Sequence, residues 1–333
     1  MEPASSLPFV MFYILGFTLF TYLLLNGLDL GVGVLSLFVQ SPERRDILVS
    51  AVTRVWLANQ IWLVALGGTL FGCFPVVSAV ILSALPIPLV VMVTGLTMRT
   101  VAIEFYVRSA NKTPWAVAFG AGSLLAALSQ GFMVAGFLSG IPIQNGHFTG
   151  SPWFWVSIPS ALVTLFVVTS YTLLGTTCLV TRTKGEVRMS FVRPAMVSIL
   201  CVVAALFVLM FWSARMGPEA ASVLGAMAGS RPFYVFAFLF SMGLIMVLWS
   251  LQTGRGREPF LVSVLAFGVA CIGVVAGLYP YILPPLTIVE AAAPVPHLRL
   301  LLVAAGVSFP VVIIYSAYRY GVFGDKIRGR EAQ

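Results

Sequence analysis

Residues 8–39 read PFVMFYILGFTLFTYLLLNGLDLGVGVLSLFV, and the single charged residue in this stretch is Asp29. A carboxylate at membrane depth costs about 2.5 to 3.5 kcal/mol on insertion scales, so an acid inside so long an apolar stretch indicates a functional or assembly site. Gly27, Gly31 and Gly33 leave one side of the predicted helix without side chains. Another helix or a cofactor could approach the chain closely on that side.

The composition places the whole chain in a membrane. Of the 333 residues, 59% are apolar and 9% are charged, and the mean hydropathy is +1.01. A soluble domain of this length does not tolerate so much apolar surface. The apolar runs are continuous over the roughly twenty residues that a spanning helix needs, whereas a membrane β-barrel has shorter alternating segments. We therefore predict an all-α polytopic membrane protein.

Hydropathy predicts about nine transmembrane helices. The first is not a cleaved signal peptide, because it lacks a basic start and extends far past the usual apolar region. We treat 1–333 as a single integral membrane domain with pseudo-repeat halves at roughly 1–150 and 151–333. The predicted spans are 8–38, 51–72, 75–98, 115–139, 153–180, 194–214, 232–252, 259–279 and 299–320.

The basic residues predict the orientation of this domain. Most of the 19 lysines and arginines lie in or beside alternate loops or in the C-terminal tail, and only Arg215, Arg231 and Arg299 lie on the other side. The positive-inside rule then places the N-terminus outside and the C-terminus in the cytoplasm. The net charge of +8 is dispersed over short loops, so it indicates topology and lipid headgroups and gives no support for nucleic-acid binding. The larger set is Arg44, Arg45, Arg54, Arg99, Arg108, Lys112, Arg182, Lys184, Arg188, Arg193, Arg255, Arg257, Arg319, Lys326, Arg328 and Arg330.

The chain offers few metal ligands. His147 and His297 fall in predicted external loops, where neither could ligate a haem buried in the membrane. A chain that held several haems alone would need more axial ligands than this one has. The cysteines have no CxxC spacing, so we interpret them as packing residues and predict no metal site. They are Cys73, Cys178, Cys201 and Cys271.

The second span contains an unusual amide pair between two tryptophans, in the sequence WLANQIWL at 56–63. Because every amide hydrogen needs a partner where water is scarce, we expect Asn59 and Gln60 to bond to another helix. The amides then serve either as links between helices or directly in proton or ligand traffic. Trp56 and Trp62 are candidates for an apolar oxygen route or for simple packing.

The third span ends in RTVAIEFYVRS at 99–109. Glu104 precedes Arg108 by four residues, the favourable orientation for an ion pair on a helix surface. Arg99 lies deeper, near the same predicted cytoplasmic end that Asp29 approaches. A contact between Asp29 and Arg99 would cancel two charges that are costly singly.

The motifs quoted above, together with three others, resemble those of a known family. Six segments match, in order and spacing, subunit II of the cytochrome bd family of quinol oxidases, and the resemblance runs over essentially the whole chain. It is weak from about 115 to 170 and from 190 to 270. The segments are NGLDLGVG at 26–33, WLANQIWL at 56–63, RTVAIEFYVRS at 99–109, RTKGEV at 182–187, YPYILPP at 279–285 and IIYSAYRYGVFGDKI at 313–327.

The resemblance implies a subunit of a respiratory enzyme that oxidises quinol and reduces oxygen to water. Family members pair with a subunit I that carries two b-type haems, one d-type haem and the quinol-oxidising loop, and some complexes include a small single-span accessory subunit. Subunit II has no haem ligands or catalytic residues. It stabilises subunit I, lines part of a proton or oxygen route and sometimes holds a structural quinone. The implied fold is two four-helix bundles plus one peripheral helix, in a bacterial or archaeal cytoplasmic membrane.

The chemistry of the residues themselves gives five candidates, and the resemblance adds one departure. Asp29, Asn59, Gln60, Arg99 and Glu104 are the candidates for assembly or proton handling. The family motif commonly begins with an acid where this chain has Asn26.

A second departure lies in the second span. The family usually places an acid directly after the first tryptophan, and this chain has Leu57. A leucine cannot relay a proton. If that acid serves proton uptake, the route is lost here, moved to Glu104 or Asp29, or supplied by subunit I.

Two other classes of protein remain open. A secondary transporter would share the topology, but it should place polar or broken-helix sites at mid-membrane in both halves, and the second half lacks one. A purely structural membrane scaffold explains the low polar content but leaves Asp29, Asn59 and Gln60 unexplained.

Overall fold

The computed structural model describes residues 6–215, 231–254 and 256–324. In these ranges nine helices are long and apolar enough to cross a membrane, which confirms the predicted class. Arg255, Lys326, Arg328 and Arg330, which contribute to the predicted orientation, lie outside the described residues.

The described chain forms twelve helices and two short hairpins. The helices are α1 (Leu7–Ser36), α2 (Pro42–Thr53), α3 (Trp56–Cys73), α4 (Pro75–Ala84), α5 (Pro86–Arg108), α6 (Thr113–Leu138), α7 (Ile158–Arg182), α8 (Gly185–Arg215), α9 (Arg231–Gln252), α10 (Glu258–Leu278), α11 (Ile288–Ala291) and α12 (Val295–Gly324). The hairpins pair β1 (Ile143–Gln144) with β2 (His147–Phe148), and β3 (Tyr281–Leu283) with β4 (Leu286–Thr287).

Two predicted spans each include part of a short neighbouring helix. The span predicted at 51–72 includes the end of a separate helix, α2, and the crossing helix α3 begins only at Trp56. The span predicted at 75–98 is broken at Leu85, whose φ of −123° and ψ of 38° are not helical. Leu85 precedes Pro86, and a residue before proline is disfavoured in the helical region. The short α4 therefore ends there, and the crossing helix is α5.

The crossing helices pack as two groups of four with one helix at the edge, as the resemblance implied. Helices α1, α3, α5 and α6 form one group, and α7 to α10 form the other, while α12 lies against α3 and α1. Helix α1 contacts α7 closely and so joins the two groups. The relation of the two halves as a repeat stays a prediction.

One end of the molecule is covered by the short elements. The β1–β2 turn is Asn145-Gly146, with φ of 50° and 77°, the left-handed conformation that a tight hairpin requires. Helix α4 contacts β2 and α11, and the amide of Ala293 donates to the carbonyl of Cys73. These contacts cover the end at which α1 begins. The polar site described next lies closer to the other end of α1.

Candidate functional site

A buried ion pair joins α1 to α5. Nη2 of Arg99 lies 3.0 Å from Oδ2 of Asp29, and the two side chains are 2% and 0% exposed. The contact that the sequence left open is therefore present. Removing one member of such a pair leaves an uncompensated buried charge, which costs about 3 to 5 kcal/mol.

Asn59 extends the ion pair to α3 and α12. Its Nδ2 donates to Oδ2 of Asp29 over 2.7 Å, and its Oδ1 accepts a hydrogen bond of 3.0 Å from the Tyr320 hydroxyl. The prediction that Asn59 bonds across to another helix is confirmed. The same amide holds the carboxylate on α1 and the last helix of the chain.

The ion pair continues in the other direction through Asn26. Nη1 of Arg99 donates to Oδ1 of Asn26 over 3.3 Å, and Nδ2 of Asn26 donates to the Tyr22 hydroxyl over 3.1 Å. A carboxylate at position 26 could accept from the arginine but, when ionised, could not donate to the tyrosine. The amide that departs from the family motif therefore makes both contacts.

A glutamine carries the hydrogen bonds on to α7. Nε2 of Gln130 on α6 donates to the Tyr22 hydroxyl over 2.8 Å, and its Oε1 accepts a hydrogen bond of 2.8 Å from the Tyr171 hydroxyl. These contacts connect α1, α3, α5, α6, α7 and α12. We call the connected set the polar network, and its members are Tyr22, Asn26, Asp29, Asn59, Arg99, Gln130, Tyr171 and Tyr320.

The glycines of α1 allow α7 to approach the polar network. A Cβ atom on Gly31 would lie 1.8 Å from the carbonyl oxygen of Tyr171, and one on Gly27 would lie 2.5 Å from the Tyr171 ring. On the opposite helix, a Cβ atom on Gly175 would lie 2.6 Å from the amide nitrogen of Val32. Gly27 and Gly31 thus face α7, whereas a Cβ atom on Gly33 would overlap the Ser123 side chain of α6. The prediction that the three glycines share one side of α1 is therefore wrong for Gly33.

Comparison with known proteins identifies the family to which this fold belongs. A family model for cytochrome bd terminal oxidase subunit II matches residues 7–323. The chain belongs to that family. It is therefore a subunit of a quinol oxidase complex. The family match favours this function over that of a secondary transporter or a structural scaffold.

Relatives of the subunit II family match this chain at low identity. Cytochrome bd-I ubiquinol oxidase subunit 2 of Escherichia coli strain K12 is 24% identical over 356 residues, covering 94% of this chain and 93% of the relative. Cytochrome bd ubiquinol oxidase subunit 2 of Bacillus subtilis strain 168 is 32% identical over 141 residues, covering 40% and 41%. A chain of bd oxidase from Geobacillus thermodenitrificans superposes with a TM-score of 0.77 at 19% identity, covering 96% of this chain and 99% of that one. This last likeness shows that the fold is shared.

Two residues proposed for the site lie outside the polar network. Glu104 pairs with Arg108 at 3.1 Å, as expected from their spacing, but the two side chains are 49% and 78% exposed. The prediction that Gln60 bonds across to another helix is wrong, because its buried Nε2 has no hydrogen-bond partner among the described residues. Successive residues of a helix point about 100° apart, so Gln60 cannot face α1 as Asn59 does.

The two tryptophans of α3 have different surroundings. Trp62 is 2% exposed, donates from Nε1 to the Ser316 hydroxyl over 3.1 Å and contacts the rings of Phe17 and Phe309. Trp56 is partly buried against the core near α2 and α5. Trp62 thus joins α1, α3 and α12 by packing, and an oxygen route beside it stays a prediction.

Sequence reasoning missed half of the polar network. Tyr22, Gln130 and Tyr171 lie within apolar spans and Tyr320 lies beside Arg319 at the end of the last span, and a tyrosine at such a position is as common in packing as in hydrogen bonding. Gln130 carried a usable signal, because an amide inside an apolar span needs a partner. Which partner it finds depends on how the helices pack.

A second polar cluster lies where α2 meets the end of α5 and the loop that follows it. The carboxylate of Asp46 accepts hydrogen bonds from the Tyr106 hydroxyl at 2.7 Å and from Nζ of Lys112 at 2.8 Å. Burial alone would raise the pKa of Asp46, but these two hydrogen bonds and the lysine charge outweigh it and hold the pKa below its usual value. The cluster fastens α2 to the bundle.

The histidines of this subunit lie at the surface. His147 is exposed in β2, and His297 is exposed in the first turn of α12, so the expected loop position of His297 is wrong. Neither residue faces the interior of a bundle, and these positions do not fit a haem ligand there. Within the described ranges no group of three or more His, Cys, Asp or Glu side chains could hold a metal ion.

Proposed function

We propose that this chain is the non-haem-ligating subunit of its oxidase and holds a haem-bearing subunit I in its active form. The observation that carries the proposal is the buried Asp29–Arg99 pair, which sits in a network spread over six helices and fixes their arrangement. The surface positions of His147 and His297 support placing the haems, two of b type and one of d type, in subunit I.

We assign the polar network to assembly and Asp29 to proton handling. Because Arg99 balances the charge of the buried Asp29, protonation of this acid changes the net charge of the site while the carboxyl group stays in place. The other network members are amides, tyrosines and an arginine, which hold helices together by hydrogen bonds. Removal of Asp29 should therefore disturb both the assembly and the turnover of the complex.

The position of Leu57 bears on proton uptake. Its side chain is 47% exposed in the isolated chain, so an acid there would face lipid or a partner. Glu104 is a poor substitute, since it is exposed and already paired with Arg108. We propose that uptake relies on Asp29 or on subunit I. Changing Leu57→Glu should leave assembly intact and raise turnover or alter its pH dependence; destabilisation alone would mark position 57 as a packing site.

The proposal is tested by purifying the complex through a tag on this chain. The preparation should contain a second, larger membrane subunit and show a d-type absorption band. The chain expressed alone and supplied with haem should show no stoichiometric Soret band. A haem spectrum from the isolated chain, or copurification without any haem protein, would contradict the proposal.

A matched pair of variants tests the assigned site. Asp29→Asn and Glu104→Gln make the same chemical change, one inside the polar network and one at the surface. We expect Asp29→Asn to lower haem incorporation or quinol oxidase activity tenfold or more, which corresponds to about 1.4 kcal/mol per decade. Glu104→Gln should stay near wild type. Equal effects would remove Asp29 from the proposal.

We propose that the N-terminus lies outside and the C-terminus in the cytoplasm of a bacterial or archaeal cell, as the basic loops indicate. Reporter fusions after Lys112, Lys184 and Arg330 should report the cytoplasm. Fusions near His147 and His297 should report the outside. Inverted results at any two of these positions would refute the orientation.

A further inference from the structure

A small pocket lies between α7, α9 and α10, away from the polar network. Its walls are mostly apolar, with Leu174, Phe240, Leu244 and Phe267 among them. It leaves about 10 Å³ for the centre of a water molecule, which is close to the minimum that holds one. Any occupant is therefore no larger than a single small molecule.

The pocket wall includes a hydroxyl without a partner. Ser170 is 6% exposed, and its Oγ has no hydrogen-bond partner among the described residues. Its neighbours on α7 behave differently, since the hydroxyls of Thr169 and Thr172 donate to carbonyls of their own helix. A buried hydroxyl that makes no hydrogen bond costs about 1 to 3 kcal/mol. A polar occupant of the pocket would remove that cost.

A second hydroxyl in the wall has acceptor capacity to spare. Ser263 is 3% exposed, and its Oγ lies 2.8 Å from the Phe260 carbonyl oxygen and 2.9 Å from Oγ1 of Thr177. A hydroxyl carries one hydrogen and two lone pairs. Even with both of these contacts made, Ser263 keeps a lone pair for another donor.

We propose that this pocket binds one water molecule, which hydrogen-bonds to Ser170 and donates to Ser263. Buried waters usually make two to four hydrogen bonds, and these two hydroxyls supply the lower number. An apolar gas molecule would leave the Ser170 hydroxyl unsatisfied, so the chemistry of the wall selects water. The site is independent of the proposed oxidase function.

The bound water links α7 to α10 within the second group of helices. The ring of Phe267 lines the pocket and also contacts the ring of Tyr171. Ser170 and Tyr171 are adjacent on α7. The Ser170 hydroxyl therefore faces the pocket beside α9 and α10, while the Tyr171 hydroxyl belongs to the polar network. The water thereby fixes the rotation of α7 at the junction of the two groups.

Thermal unfolding of the purified complex distinguishes a hydrated pocket from a dry one, because Ser170→Ala should shift the unfolding midpoint in a different direction in each case. If the water is bound, Ser170→Ala removes its main partner and should lower the unfolding midpoint. If the pocket is dry, the same substitution deletes an unsatisfied hydroxyl and should raise the midpoint or leave it unchanged, which would overturn the proposal. The control is Ser198→Ala, because Ser198 is also 6% exposed but donates to the Pro194 carbonyl of its own helix.

High-resolution maps of the intact complex provide a second measurement that does not depend on folding of the variant. We expect a density peak within hydrogen-bond distance of Oγ of Ser170 and Oγ of Ser263 in the wild type, and none in Ser170→Ala. Xenon density in the wild-type pocket, or a Ser170 hydroxyl turned onto a carbonyl of its own helix, would overturn the proposal.

Discussion

The buried ion pair yields the sharpest prediction, because its two members can be neutralised singly and together. Asp29→Asn leaves the Arg99 charge in the bundle, and Arg99→Gln leaves the Asp29 charge there. Each side chain is at most 2% exposed, so neither leftover charge can reach water without a rearrangement of the helices. The double variant removes both charges and keeps amides that can hydrogen-bond.

The expected magnitudes follow from this burial. Each single variant should destabilise the complex by about 3 to 5 kcal/mol, the usual cost of breaking a buried pair. The double variant should be closer to wild type than either single variant, since it leaves no unpaired charge in the bundle. The exposed pair of Glu104 and Arg108 is the control, because a helical surface pair contributes only about 0.3 to 0.5 kcal/mol.

The assay compares three quantities on the purified complex: the thermal midpoint, the d-type haem content and the quinol oxidase turnover. If Asp29 acts only as a counter-ion of Arg99, the double variant should recover all three. If Asp29 also handles protons, stability and haem content should recover while turnover stays low or changes its pH dependence. Single variants as stable as the surface controls, or a double variant worse than both singles, would refute the reasoning.

Gly31→Ala should destabilise the complex strongly, because its Cβ atom would lie 1.8 Å from the backbone of Tyr171. Gly16→Ala on the same helix has nothing within 4 Å and should leave the thermal midpoint unchanged or raise it slightly, since alanine favours the helix over glycine. Equal midpoints for the two variants would contradict the close packing of α1 on α7. Asp46→Asn should remove a stabilisation that depends on pH. Since the Asp46 pKa is lower in the folded chain, this stabilisation is present above the unfolded value of about 3.9 and is lost as the pH falls through the folded value. Wild type and variant should therefore differ in unfolding midpoint at pH 7 and converge in acid; a constant difference would refute the assignment.

The number and class of the helices follow from sequence because they depend on local hydropathy. The predicted span at 75–98 failed because a window average does not register the break that Pro86 imposes at Leu85. The burial of Asp29 was predictable from the cost of a charge in an apolar stretch. The sequence suggested Arg99 as the partner of Asp29 only because both residues lie near the cytoplasmic end of their predicted spans. The structure contains this contact, at 3.0 Å.

The contacts that the sequence did not predict are those that depend on how the helices are rotated and spaced. Asn59 and Gln60 are adjacent amides with the same chemistry, and only the rotation of α3 determines which one meets Asp29. Tyr171 enters the polar network because Gly27 and Gly31 allow α7 to approach α1 closely. The glycines predict that another helix or a cofactor approaches α1 closely, but no local pattern in a single sequence encodes which helix approaches or how each helix is rotated.

The directions of the hydrogen bonds indicate what the polar network can do. Tyr22 accepts from Asn26 on one side and from Gln130 on the other, so two donors converge on one hydroxyl. A proton relay needs members that each accept on one side and donate on the other. Such a relay would be interrupted at Tyr22, and the amides of Asn26 and Gln130 do not readily exchange their hydrogens along a chain. We therefore propose that the network beyond Arg99 holds helices together and that proton handling is limited to the neighbourhood of Asp29.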